Sequence, residues 1–241
     1  MADKAAIVTG ASSGIGFALA RLLLGEGFGV TAASRRPEKL SAAAQKLRSV
    51  GTGEVEEVPG NMANEEDIQQ VVRRHRERFG RLDVLVNNAG IGIGAPIQEV
   101  QTKRLDLQLD VNLRAMVIFY RECHDLLAAA GRETRNALVV NLASIAGKSG
   151  QGWLSVYAAT KFGVVGFTQS MNKELNGLGI KSCALCPGFV DTNMTDFVRD
   201  TVPAEEMIRP DDIAEMVRPL LRLSPACVIP EIIFQRPGET L

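Results

Sequence analysis

An alternation constrains this chain more than any single motif. Short apolar runs near 5–9, 28–34, 54–58, 82–87, 137–143, 180–186 and 230–234 are separated by longer amphipathic stretches. Those stretches lie near 14–26, 37–50, 64–79, within 101–130, and near 154–176 and 211–223. The first set reads as buried strands and the second as helices. Strict strand–helix alternation implies parallel strands, each reached from its predecessor by a right-handed crossover. The expectation is therefore an α/β fold: one doubly wound, seven-stranded parallel sheet with helices on both faces. Pro37 suits a first helical position, and Asn64 before Glu65, Glu66 and Asp67 suits an N-cap with an acidic first turn. No repeat, low-complexity linker or shift in composition marks a second domain, so residues 1–241 read as a single one.

Composition removes several classes of function. A net charge of −1 gives no field that would attract nucleic acid or acidic lipid. No apolar run approaches the ~20 residues that a membrane span needs. The N-terminus enters the first strand at once, which leaves no room for a signal peptide. Four cysteines suggest no disulfide framework. A cytoplasmic protein is expected.

The first strand runs into Thr9-Gly10-Ala11-Ser12-Ser13-Gly14-Ile15-Gly16, which opens an apolar helical pattern. Gly10 lets the chain leave the strand in a tight turn, while Gly14 and Gly16 let backbone approach a phosphate. Free N–H groups and the helix dipole would then hold a pyrophosphate. No Lys-Ser/Thr pair follows the last glycine, which excludes a P-loop nucleotide hydrolase. A dinucleotide site of the Rossmann type fits.

Ser34-Arg35-Arg36 ends the second strand. An NAD site usually places a carboxylate here to grip the ribose hydroxyls. Such a carboxylate would repel a 2′-phosphate, whereas arginine pairs with one in a planar fork. The expected cofactor is NADP(H).

Tyr157 and Lys161 are four apart, one turn of a helix, on one face. A free tyrosine has a pKa near ~10, and a neighbouring lysine cation would lower it toward the working range. Ser144 follows the apolar run 137–142, at a strand end where open α/β sheets place their chemistry. Its hydroxyl could bond a substrate oxygen while Tyr157 exchanges a proton with it.

Read in order, the glycine turn, Asn87-Asn88-Ala89-Gly90, Asn112, Ser144, Tyr157/Lys161 and Cys186-Pro187-Gly188-Phe189-Val190-Asp191-Thr192 resemble the classical short-chain dehydrogenase/reductase family over roughly 4–225. The resemblance implies that Ser144 and Tyr157 bond a substrate carbonyl and that Tyr157 donates the proton. Lys161 would hold the nicotinamide ribose, and Asn112 would complete a proton relay. It also implies that Ser12, Ser13 and Ile15 join the glycines at the cofactor, with Ser34 and Arg35 at the 2′-phosphate. Asn61-Met62 would meet adenine, although the family usually has aspartate where Asn61 stands. Asn88, Ala89 and Gly90 would line the adenosine ribose, and Pro187, Gly188, Val190 and Thr192 the nicotinamide amide. The implied reaction is hydride transfer between NADPH and a ketone, aldehyde or acyl thioester. A 3-oxoacyl-carrier reductase is one alternative and a non-catalytic NADP(H)-binding regulator another. An epimerase of the extended family would need a larger substrate domain.

Segment 189–210 should cover a mainly apolar pocket lined by Phe189, Met194, Phe197 and Met207, with Ile91, Ile93, Trp153 and Leu154 as further wall. Cys183 and Cys186 have metal-pair spacing, yet three apart on a strand they face opposite ways, so no metal is expected. His75 lies in an arginine-rich run that reads as a solvated helix face, and His124 as packed or at an interface. The tail Ile229-Pro-Glu-Ile-Ile-Phe-Gln-Arg-Pro-Gly departs from the family's usual Gly-Gly ending. Small or apolar residues on two helices (Ala115, Ala158, Gly163, Gly166, Phe167, Ser170) permit close helix packing, and the resemblance implies a homodimer or homotetramer joined through them.

Overall fold

The computed structural model describes residues 3–50 and 53–238. Its strands are β1 (Ala5–Thr9), β2 (Gly29–Ser34), β3 (Val55–Pro59), β4 (Val84–Asn87), β5 (Ala137–Leu142), β6 (Ile180–Pro187) and β7 (Glu231–Phe234). They form one sheet in the order β3-β2-β1-β4-β5-β6-β7, every pair parallel. The alternation is thus realised as a Rossmann-like doubly wound sheet. Its order reverses between β1 and β4, and the crevice at such a reversal is where open α/β sheets bind ligands.

Both faces of the sheet are covered. Ile7, Val139, Ala184 and Cys186 face a core layer with Phe119, Leu127 and Val164. Ala6, Val8, Val140, Cys183 and Leu185 face the other, with Leu19, Leu23 and Leu40. The period-2 alternation of strand side chains therefore separates Cys183 from Cys186, as expected. Burial pushes both thiols up to about 12.

The helices are α1 (Gly14–Gly25), α2 (Pro37–Val50), α3 (Glu65–Phe79), α4 (Thr102–Leu109), α5 (Ala115–Thr134), α6 (Ser155–Leu175), α7 (Pro210–Glu215) and α8 (Val217–Leu220). Asn64 caps α3 through Oδ1, which accepts from the Glu66 N–H at 2.9 Å. Two expected helices are not continuous. The stretch within 101–130 divides into α4 and α5 around a π-helical turn, Asp110–Arg114, and runs on to Thr134. The stretch 211–223 breaks at Met216, because Pro219 has no N–H to give the carbonyl four residues back.

The expectation for His75 is corrected, while His124 is not packed within this chain. His75 is fully buried, sharing a 2.8 Å hydrogen bond with Thr31 Oγ1 and lying 2.8 Å from the Arg81 carbonyl. Ile68, Val71, Val72, His75 and Phe79 are the buried face of α3, so the apolar period outweighs the surrounding charge. His124 is exposed. Of the residues expected on an assembly face, Ala115 and Ala158 are buried, and Phe167 packs edge-on against Tyr120 at 5.1 Å. Phe162, Gly166 and Ser170, spaced by four, are among the exposed residues of α6.

Candidate active site

The glycine turn meets the β4 loop at the sheet's reversal. Gly10 adopts φ +67°, and a Cβ there would stand 2.6 Å from Asn88 Nδ2. Only glycine fits that backbone and that approach. Asn88 braces the turn: its Nδ2 donates to the Thr9 carbonyl at 2.8 Å, while the Asn88 and Ala89 N–H groups both donate to Thr9 Oγ1 at 2.9 Å. At the start of α1, Ser13 is extended and makes no side-chain cap. The first N–H groups of the helix therefore lack a local side-chain acceptor, which suits a phosphate. Thr192 closes the other side, its methyl 2.9 Å from where a Gly14 Cβ would lie.

Ser34, at the end of β2, is buried and its Oγ has no hydrogen-bond partner among the described residues. Buried polar atoms are seldom left so, and this one stands beside the exposed Arg35 and Arg36. An orphaned hydroxyl next to two exposed guanidinium groups fits a phosphorylated ribose. The adenine contact is less direct. Met62 is turned into the core, and Asn61 is spent on its own turn, accepting from the Ala63 N–H and donating its N–H to Asp67.

Strand ends also gather the reactive groups. Ser144 follows β5; its Oγ accepts from the Ala146 N–H at 3.1 Å and donates to the Pro187 carbonyl at 3.4 Å. Lys161, buried on α6, donates to the Leu142 carbonyl at 2.7 Å and lies 5.6 Å from the Tyr157 ring centre. Asn112 sits in the π turn, an insertion that recurs at functional sites. Its Oδ1 accepts from the Ile91 N–H at 2.8 Å, and its Nδ2 donates to the Ile91 carbonyl at 2.9 Å and to Thr160 Oγ1 at 3.1 Å. A Cβ on Gly90 would lie 3.4 Å from Asn112 Oδ1 and 3.6 Å from Lys161 Nζ, so these groups converge.

Burial shapes the electrostatics of both Tyr157 and Lys161. Burial raises the Tyr157 pKa, and only the Ser144 hydroxyl pulls it down. Burial also lowers the Lys161 pKa to about 8, which leaves it mostly a cation at neutral pH. Desolvation disfavours the charged form of both groups.

On the substrate side, Gly92 lies against Tyr157, a Cβ there being 3.7 Å from Cε2 and 3.9 Å from Met194 Sδ. A Cβ on Gly94 would fall inside the Trp153 indole, so the ring lies on bare backbone. Trp153 is held in the left-handed region at φ 56°, its carbonyl accepting from the Ala95 N–H at 2.7 Å. Its ring meets Phe197 edge-on at 5.6 Å. Phe189 is instead taken up by Arg236, whose guanidinium stands 5.7 Å over its ring, and Met207 is buried. Pro187, Gly188 and Val190 continue β6 into this segment, where the Gly188 N–H donates to the Phe234 carbonyl of the tail. Sequence reasoning missed Gln108 and Gly94. The spacing of Gln108, four before Asn112, was the available signal for the first.

A family model for short chain dehydrogenase matches residues 4–203. An uncharacterized oxidoreductase of Staphylococcus aureus is 34% identical over 217 residues, covering 90% of each chain. A putative ketoacyl reductase of Streptomyces coelicolor is 35% identical over 252 aligned positions, covering 94% of this chain and 93% of its own. Among solved structures, a variant of actinorhodin polyketide ketoreductase with NADPH superposes with a TM-score of 0.86 at 32% identity, over 97% of both chains.

Proposed function

Because the chain belongs to the short-chain dehydrogenase/reductase family, we propose that it reduces the carbonyl of a small or medium, mainly apolar ketone, aldehyde or acyl thioester with NADPH. It is an oxidoreductase and its cofactor is NADP(H). The orphaned Ser34 hydroxyl beside Arg35 and Arg36 fits the 2′-phosphate. Gly10, Ser12, Ser13, Gly14, Ile15 and Gly16 would hold the pyrophosphate, and Asn88, Ala89, Gly90, Pro187, Gly188, Val190 and Thr192 would line the remainder. The bound cofactor supplies the hydride that reaches the carbonyl carbon.

The chain's own residues do the rest. Ser144 and Tyr157 hold the carbonyl oxygen, and Tyr157 Oη transfers its proton to that oxygen, leaving the alcohol. Lys161, which would hold a ribose oxygen of the bound cofactor, lowers the cost of the charge left on Tyr157. Asn112 fixes Ile91 and Thr160 around this group. The observation that carries the reading is the convergence of Ser144, Tyr157, Lys161 and Asn112 at the ends of β4 and β5. A panel of ketones, aldehydes and acyl thioesters, read by loss of NADPH absorbance, tests it. No NADPH consumption with any of them would sink the proposal.

A 3-oxoacyl group on a carrier is the second reading, favoured by the ketoacyl reductase and ketoreductase relatives. Against an acidic carrier, the arginines around 189–210 are already paired: Arg199 with Asp191 at 2.7 Å, Arg209 with Asp212 at 2.5 Å and Arg236 with Glu206 at 3.8 Å. Free and carrier-bound thioesters compared at equal concentration would decide. For assembly we expect a homodimer or homotetramer through the exposed residues Phe162, Gly166 and Ser170. Light scattering on the parent and on Gly166→Arg checks this, a parental monomer being the contrary result.

A further inference from the structure

The loop after β4 has two dependent edges. On one, Gly92 and Gly94 give Tyr157 and Trp153 their seats on backbone. On the other, the main chain is tied to side-chain amides from the α4–π-turn helix. Asn112 takes both the N–H and the carbonyl of Ile91, and Gln108 Oε1 accepts from the Ile93 N–H at 3.0 Å. The spacing explains how one helix can do this. Four residues of helix rise ~6.0 Å, and two residues of extended chain rise ~6.6 Å. Amides at 108 and 112 thus meet peptide groups at 91 and 93 as a neighbouring strand would.

Gln108 is costly to place there. It is 2% exposed, and a buried amide is unfavourable unless it is bonded. Leucine would suit the helix as well and would bury without that cost. What Gln108 adds is a fixed position for Ile93, one residue before the glycine on which the Trp153 ring lies. We propose that Gln108 is a positioning residue that sets the substrate side of the site. It holds Ile93 so that Gly94 seats Trp153, while Asn112, one turn on, holds Ile91 beside Tyr157 and Lys161. The role rests on reading this site as a carbonyl reductase, but the geometry can be read out without turnover, because Trp153 is the chain's single tryptophan.

The experiment compares the full-length parent with Gln108→Leu, Gln108→Met and Gln108→Glu. Leucine and methionine remove the acceptor, while glutamate keeps an oxygen at the same reach in either protonation state. One neutral hydrogen bond corresponds to roughly 2- to 12-fold in an equilibrium. Hydrogen exchange at the Ile93 amide should rise by about that factor in Gln108→Leu and Gln108→Met, and acrylamide quenching of Trp153, already half exposed, should rise measurably but by less. KM for a bulky apolar ketone should rise similarly, kcat should change less, and the NADPH dissociation constant should hold. Gln108→Glu should recover most of both effects. Unchanged quenching and exchange in the leucine and methionine variants would overturn the proposal. So would an equal loss of kcat and NADPH affinity, or failure of both variants to fold, since each would make Gln108 a general structural requirement. A parent that reduces no carbonyl would remove the functional reading, while quenching and exchange would still decide the role of Gln108.

Discussion

On the cofactor side of the cleft, the chain is tied to itself by backbone groups and short side chains: Thr9, Asn88 and Ala89 knit β1 to β4, directly above the sheet's two core layers. On the substrate side, the walls are a loop hung from two amides, a strained tryptophan and a 3₁₀ turn whose aromatic ring is more than half exposed. Packed interiors tolerate little change, whereas exposed loop contacts give way at small cost. The first side should therefore fix cofactor binding and stability together. The second should tune substrate choice with little effect on either.

The sharpest way to break that division is at the residue between the two sides. Tyr157→Phe removes one hydroxyl and should lower kcat by ~10²–10⁴, the usual contribution of an acid–base group. NADPH affinity should persist, measured by fluorescence titration. Lys161→Ala should damage both turnover and NADPH affinity. Retention of more than roughly a tenth of the activity by Tyr157→Phe would remove Tyr157 as proton donor.

Stability should fail from the packed interior beneath the cleft. His75 bridges β2 and α3 as a neutral ring, its pKa lowered by burial from 6.5 to about 4, with Asp83 favouring its charge and Arg76 opposing it. A depressed folded pKa contributes stability that is complete above 6.5 and lost as pH falls toward about 4. The full loss is roughly 3 kcal/mol at ~1.4 kcal/mol per pKa unit. Denaturant midpoints across that window should show it in the parent. In His75→Phe the slope should flatten, although the variant itself is less stable. An unchanged slope would mean that His75 is not the group titrating.

Much of the cofactor side was legible because its chemistry is local. A glycine turn after a strand, arginines at the next strand end and a Tyr/Lys pair one turn apart each work through spacing along the chain. The π turn was not legible, since it depends on Asn112 finding Ile91 and Thr160, partners distant in sequence. Gln108 escaped for the same reason. His75 was misread for another: four arginines near it dominated, although Ile68, Val71, Val72 and Phe79 mark its place on the apolar face. How far Lys161 lowers the Tyr157 pKa depends also on the burial of both groups, which spacing does not report.

Cofactor choice sharpens the comparison further. If Arg35 and Arg36 hold the 2′-phosphate, one charge-assisted contact is worth about 1.5–3 kcal/mol, or roughly 10- to 150-fold. Arg35→Ala should weaken NADPH by that factor and leave NADH nearly unchanged. Adding Ser34→Asp should favour NADH, because a carboxylate grips the ribose hydroxyls and repels phosphate. Equal losses for both cofactors would make these arginines solvated surface.

The smallest expected effect lies at the outer edge of the substrate side. Phe197 meets Trp153 at 86°, ring centres 5.6 Å apart, and both rings are more than half exposed. Such a pair is worth ~0.5–1.5 kcal/mol when buried, and water on both rings places this one at the lower end. Phe197→Ala should therefore reduce kcat/KM for a bulky apolar ketone by about two- to fivefold. Its melting temperature and NADPH affinity should match the parent's, because the ring touches neither core layer nor cradle. Acrylamide should reach Trp153 more easily, while exchange at the Ile93 amide stays slow, since Gln108 still holds the loop. That combination separates the ring contact from the amide tie. If Phe197→Ala instead weakened NADPH as much as it weakened substrate, the two sides of the cleft would be one coupled unit, and the division of labour between them would fail.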